Sequence, residues 1–213
     1  MNKNISKETQ NRLYRQFGLQ ILEYEKNADT CASLLFYIEN KPKTDSVIVL
    51  EGILRTQLML CYINLDLYAA YRQYLSIDTS TNYEKRQAIT KINVVMSEGY
   101  KKIYGFTEKE QNKSFWMVQV KLAVNFFKSY SVEYTQIGRL LHDIAKDNII
   151  NKDMRDLTIH YDNDPLKVYK MLSILSAEEV ANRCNKFLGV LAELNKFVLI
   201  LISEMTSKLT IDE

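Results

Sequence analysis

Residues 177–209 read AEEVANRCNKFLGVLAELNKFVLILISEMTSKL, and the positions of their apolar side chains decide the fold. Val180, Cys184, Phe187, Leu191, Leu194, Val198, Leu201 and Met205 recur at alternating steps of four and three. An α-helix turns once in about 3.6 residues, so this series draws one apolar stripe along a long helix. The N-terminal stretch repeats the rhythm through Leu13, Phe17, Ile21, Tyr24, Ala28, Cys31, Leu35 and Ile38. Two stripes of this length need matching faces to cover them. The expected fold is an all-α, up-and-down-type helical bundle with long N- and C-terminal helices.

Composition agrees. The chain has 213 residues with only six Gly and two Pro. Sheet-rich folds need many turns, and turns draw on those residues, so sandwiches, barrels and doubly wound sheets are disfavoured. The hydrophobic share of 46% is that of a folded chain rather than a disordered one.

Helix starts are written into the sequence. Thr81 with Glu84, Thr107 with Glu110, and Ser176 with Glu179 have capping-box spacing, while Asp164 before Pro165 reads as an N-cap followed by N1. The expected helices cover about 7–40, 45–76, 82–104, 108–129, 132–149, 151–160, 165–175 and 177–209. No repeat or Pro/Gly-rich linker divides the chain, so residues 1–213 are expected to form a single domain, with 79–106 as a peripheral helical hairpin.

The helix over 45–76 is different, because from Val47 to Tyr68 it is apolar nearly all round. Such a helix belongs in the middle of a bundle. Arg55, Gln57, Asn64 and Asp66 interrupt that surface, and buried charge is costly without a partner. Glu51 and Arg55, four residues apart, suggest an internal salt-bridge network. A polar ligand pocket around Arg55, Asn64 and Asp66 is the alternative.

Net charge is +2, so no strong positive field recruits nucleic acid. The first twenty residues are too polar to hold a signal peptide's apolar segment, and the run Phe197–Ile202 is far short of the roughly twenty residues a bilayer requires. Cys31, Cys61 and Cys184 are odd in number and widely spaced, each in an apolar helical setting. They read as buried reduced thiols, and the expected location is cytoplasmic, with no membrane association. The 14 Tyr and 8 Phe fall at helical spacings that suit core and interface packing better than base stacking.

Only two histidines exist, which removes most metal chemistry. A di-iron bundle needs Glu-x-x-His, but Arg139 and Leu157 stand three residues before His142 and His160. No Cys/His zinc spacing, Gly-rich phosphate loop or Gly-x-Ser-x-Gly elbow occurs. Residues 140–146, Leu-Leu-His-Asp-Ile-Ala-Lys, resemble the core of the HD-type metal phosphohydrolases. That family's site draws on a further His upstream, and no histidine precedes His142. His142 and Asp143 therefore read as a solvent-facing helical turn, and neither metal nor cofactor is expected.

Residues 152–165 read Lys-Asp-Met-Arg-Asp-Leu-Thr-Ile-His-Tyr-Asp-Asn-Asp-Pro. Arg155, the polar Asp156 and then His160, set between a bundle helix and a long helix, resemble the Arg-x4–6-His motif of the HEPN superfamily of small α-helical proteins. The resemblance covers about residues 131–205. Many active members carry a Tyr two residues after the His, whereas Tyr161 follows directly here. The resemblance implies a defence or toxin-type protein, with metal-independent endoribonuclease activity in many members and a non-catalytic binding module in others. It further implies a homodimer with a site assembled from two copies of the motif, RNA as substrate, and a cognate antitoxin protein as partner.

The residue types suit that chemistry. Attack by a ribose 2′-OH needs a proton acceptor, a proton donor and positive charge beside the phosphorane. A histidine near its ordinary pKa of about 6.5 can be acid or base. An arginine fork can hold two phosphate oxygens. His160 is the candidate acid/base, Arg155 the phosphate-holding cation and Asp156 the residue orienting one of them. On one continuous helix an i,i+5 pair lies about 140° apart, so the pair calls for a helix end, a bend or a second chain. The competing reading is structural. Asp156, Asp162 and Asp164 could pair with Arg155 and His160 to hold a corner between helices.

Overall fold

The computed structural model describes residues 6–76, 81–150, 166, 170 and 176–212. They form an all-α bundle, and no strand occurs among them. The principal helices are α1 (Lys7–Glu39), α2 (Asp45–Leu75), α3 (Asn82–Ile103), α4 (Glu108–Gln111), α5 (Lys121–Phe126), α6 (Ser131–Lys146) and α7 (Ala177–Asp212). A π-helical turn, Trp116–Val120, leads into α5, and a 3₁₀ turn, Lys128–Tyr130, leads into α6. The expected helices at 151–160 and 165–175 lie outside the described residues, apart from Leu166 and Lys170, which are helical.

Helix α2 is the axis of the bundle. It packs against α1, α3, α7 and the π turn with α5, while α6 lies against α7. Cross-links fix the directions. Gln10 Nε2 donates to the Leu75 carbonyl at 3.0 Å, so α1 and α2 run antiparallel. Tyr71 reaches the Ala181 carbonyl at 3.1 Å and Gln57 reaches Asn195 at 2.7 Å, so α2 and α7 do too. α2 is also, among the described helices, the one long and apolar enough to cross a bilayer by length and composition; most of its apolar span is buried inside the bundle.

Every member of the α7 stripe, from Val180 to Met205, is buried. Burying one such side chain fully is worth about 1.5–3 kcal/mol, so this seam is a principal source of stability. The α1 stripe is covered less completely. Ala28, Cys31 and Ile38 are buried, whereas Leu13, Phe17, Ile21, Tyr24 and Leu35 are half-buried against α2.

Hydroxyl caps start the helices where the sequence places them. Thr81–Glu84 and Thr107–Glu110 form complete capping boxes, and the Glu179 amide donates to Ser176 Oγ at 3.3 Å. Ser6 and Thr44 cap α1 and α2 in the same way.

Three expectations are corrected. Residues 82–103 form a single helix with nine buried residues, packed on α2, where a peripheral hairpin over 79–106 was expected. The continuous helix expected over 108–129 is broken. Ser114 Oγ accepts the Met117 amide at 3.2 Å and donates to the Gln111 carbonyl at 2.8 Å, which ends α4 and caps a new start. A second break falls at Phe127, whose φ of −115° and ψ of 77° leave the helical region.

The third correction is the end of α6, which stops at Lys146 rather than near 149. Asn148 takes the left-handed conformation with φ of 53°. Its amide bonds the Ala145 carbonyl and the Ile149 amide bonds the Ile144 carbonyl. This is a Schellman stop, completed by the buried pair Ile144 and Ile149.

Candidate functional site

The candidate catalytic residues Arg155, Asp156 and His160 lie outside the described residues. The described elements on either side of them are well defined. α6 ends at Lys146, Ile149 and Ile150 are buried, and α7 begins after its Ser176 cap. His142 and Asp143 are exposed on α6, and no cluster of three or more His, Cys, Asp or Glu side chains suited to a metal ion occurs among the described residues.

The polar residues of α2 do not converge on one hollow. Arg55 and Asp66 sit about 20° apart around the helix, on its narrow exposed strip, whereas Asn64 lies about 180° from Arg55. Arg55 donates through Nε and one Nη to Glu51 Oε1 at 3.0 and 2.7 Å, and Lys43 donates to Glu51 Oε2 at 2.6 Å. Those two donors, Lys43 first, hold the Glu51 carboxyl below its ordinary pKa. The Glu51–Arg55 pair is therefore real, but it lies at the surface rather than inside, where such pairs are worth about 0–1 kcal/mol. Asp66 faces Lys91 at 3.8 Å. Asn64 is buried, and its amide caps the Leu60 carbonyl of its own helix at 2.8 Å.

Buried polar groups instead tie helices together. Gln57 Nε2 donates to Asn195 Oδ1 between α2 and α7, and Arg183 on α7 donates to Asn93 Oδ1 on α3 at 3.2 Å. Burial pushes the Tyr71 hydroxyl well above its ordinary pKa, so it stays a neutral donor to the Ala181 carbonyl. All three cysteines are buried and free. Burial raises the Cys61 thiol to about 11 and the Cys184 thiol to about 12, and it raises Cys31 as well. None is a thiolate nucleophile near neutral pH.

A groove of about 460 Å³ opens between α6 and α7, with Leu140, Ile144, Ile149 and Val190 as its apolar wall. Gly189 lines its α7 side, with no atom within 4 Å of where a Cβ would stand. Asp143, Asp147 and Glu193 face Lys186 around it. A second hollow of about 290 Å³ continues it past Leu140 and Glu193 toward Phe197 and Ile200, with Glu133 and Lys196 at its edge. Among the described lining residues carboxylates outnumber amines. Sequence reasoning missed these residues. The available signal was Gly189, a lone glycine inside a long apolar helix.

No protein-family model matches the chain, and neither a curated protein nor a solved structure matches it.

Proposed function

We propose that this chain is an HEPN-like protein of the defence or toxin type that acts on RNA in the cytoplasm, as a homodimer and without a metal. The observation that supports it is the order of Arg155, Asp156 and His160 between α6 and the long α7 of an all-α bundle. In the proposed step, His160 takes the proton of a ribose 2′-OH as that oxygen bonds to phosphorus. The bond to the 5′-oxygen breaks, that oxygen receives a proton from the imidazolium of the second copy, and a 2′,3′-cyclic phosphate remains. Arg155 holds the two non-bridging oxygens as negative charge builds on them. Asp156 positions Arg155 or His160, and a cognate antitoxin protein would silence the site.

The test is cleavage of a labelled mixed-sequence RNA, in EDTA, by wild type, His160→Ala and Arg155→Ala. Wild type should cleave, and His160→Ala should be slower by about 10²–10⁴-fold. Equal cleavage by both, or no cleavage by wild type, removes the catalytic reading.

A second reading is favoured by the α6–α7 groove. Its apolar wall and its excess of Asp143, Asp147 and Glu193 over Lys186 suit a non-catalytic module that binds a basic helix. Binding of such a peptide by wild type, lost in Asp143→Lys/Glu193→Lys and kept in His160→Ala, would select it.

A further inference from the structure

Helix α1 packs mainly on α2, and its opposite side is uncovered. That side is not a random polar surface. Leu19, Leu22, Lys26, Asp29, Ser33 and Phe36 are all exposed and recur at steps of three, four, three, four and three. The spacing is that of the a and d positions of paired helices, with Leu19, Leu22 and Phe36 apolar at the ends and Lys26, Asp29 and Ser33 polar between them. Leu19, Leu22 and Phe36 are 67%, 63% and 71% exposed, which is unusual for three large apolar side chains in one line.

From this pattern we propose that α1 pairs with α1 of a second copy of this chain, antiparallel, about a two-fold axis between residues 27 and 28. In that register Leu19 meets Phe36 of the partner subunit. Leu22 meets Ser33 of the partner subunit, where a small side chain leaves the leucine room. Lys26 meets Asp29 of the partner subunit, and Asp29 meets Lys26 of the partner subunit. Neither Lys26 nor Asp29 has an ion-pair partner among the described residues. The face is thus self-complementary, as a two-fold interface must be. A parallel pair in register would instead set lysine on lysine and aspartate on aspartate, which charge repulsion disfavours. The flanking positions raise no conflict, since Glu25 falls level with Thr30 of the partner subunit and Glu23 level with Ala32 of the partner subunit. The inference rests on α1 alone and holds whether or not the chain cleaves RNA.

Sedimentation equilibrium of the full chain tests it. Wild type should dimerise, and Lys26→Asp or Asp29→Lys alone should raise the dimer Kd about tenfold or more, because each places like charges across the axis. Mixing the two single variants should recover tight heterodimers, and the double variant Lys26→Asp/Asp29→Lys should recover the homodimer. Both substituted positions are exposed, so unchanged circular dichroism will show that each variant folds. A monomeric wild type at concentrations on the order of 100 μM, or a dimer whose Kd none of these changes moves, overturns the proposal.

Discussion

Gly99→Ala and Gly189→Ala make the same chemical change in two long helices, and the structure assigns them opposite signs. Each replacement should gain up to about 1 kcal/mol from helix propensity. At Gly189 nothing lies within 4 Å of the new methyl group, so that gain survives intact. At Gly99 the methyl would stand 3.1, 3.2 and 3.3 Å from three carbon atoms of Ile63, on the facing α2. Carbon atoms settle at about 3.5–4.0 Å, and Ile63 is itself buried, so it has little room to retreat. Overpacking of this kind costs about 1–3 kcal/mol, leaving Gly99→Ala destabilised by about 1 kcal/mol. The two variants should therefore differ by about 2 kcal/mol, or about 4–8 °C in Tm for a chain of this size. Thermal melts and urea titrations of both proteins read this directly. Equal stabilisation by both substitutions would refute the close approach of α2 and α3 at Ile63.

Asn148 holds the left-handed stop of α6, so Asn148→Gly should be neutral or slightly stabilising, and Asn148→Val should cost about 1–2 kcal/mol, read from urea unfolding. The buried thiols Cys31, Cys61 and Cys184 should resist a disulfide reagent at mildly alkaline pH and all react in denaturant; fast labelling of the native protein would contradict their burial. The Glu51 carboxyl is lowered in the fold, so its stabilising contribution is present above its unfolded pKa of about 4.3 and is lost as pH falls through the folded value. Glu51→Gln should accordingly lower Tm slightly at neutral pH, by the modest amount expected of surface pairs, with the difference from wild type closing in acid.

Much of the architecture was legible because it is periodic. Every position of the α7 stripe from Val180 to Met205 is buried, with Phe197 a further buried residue that the stripe left out, and the near-continuous apolar surface of 47–68 marked α2 as the central helix. The capping residues Thr81, Thr107 and Ser176 marked helix starts because the bonds they make span only three residues. Helix ends were harder to read. Ser114 and Asn148 are ordinary polar residues until their backbones turn, and the 108–129 segment breaks where local bonds from Ser114 compete with the helix.

The candidate site divides along the same line. Residue identity alone singled out Arg155 and His160 as the candidate pair, and both lie outside the described residues. It could not tell that Arg55 and Asp66 face solvent while Asn64 faces the core, because a helix apolar on nearly every side has no marked outer face. Nor could it show the groove at Gly189, or the bare stripe from Leu19 to Phe36. A chain declares its own helical periods through side-chain order, since those depend on neighbours three and four residues away. Which faces stay uncovered depends on the helices packed around them, and only the assembled bundle decides that.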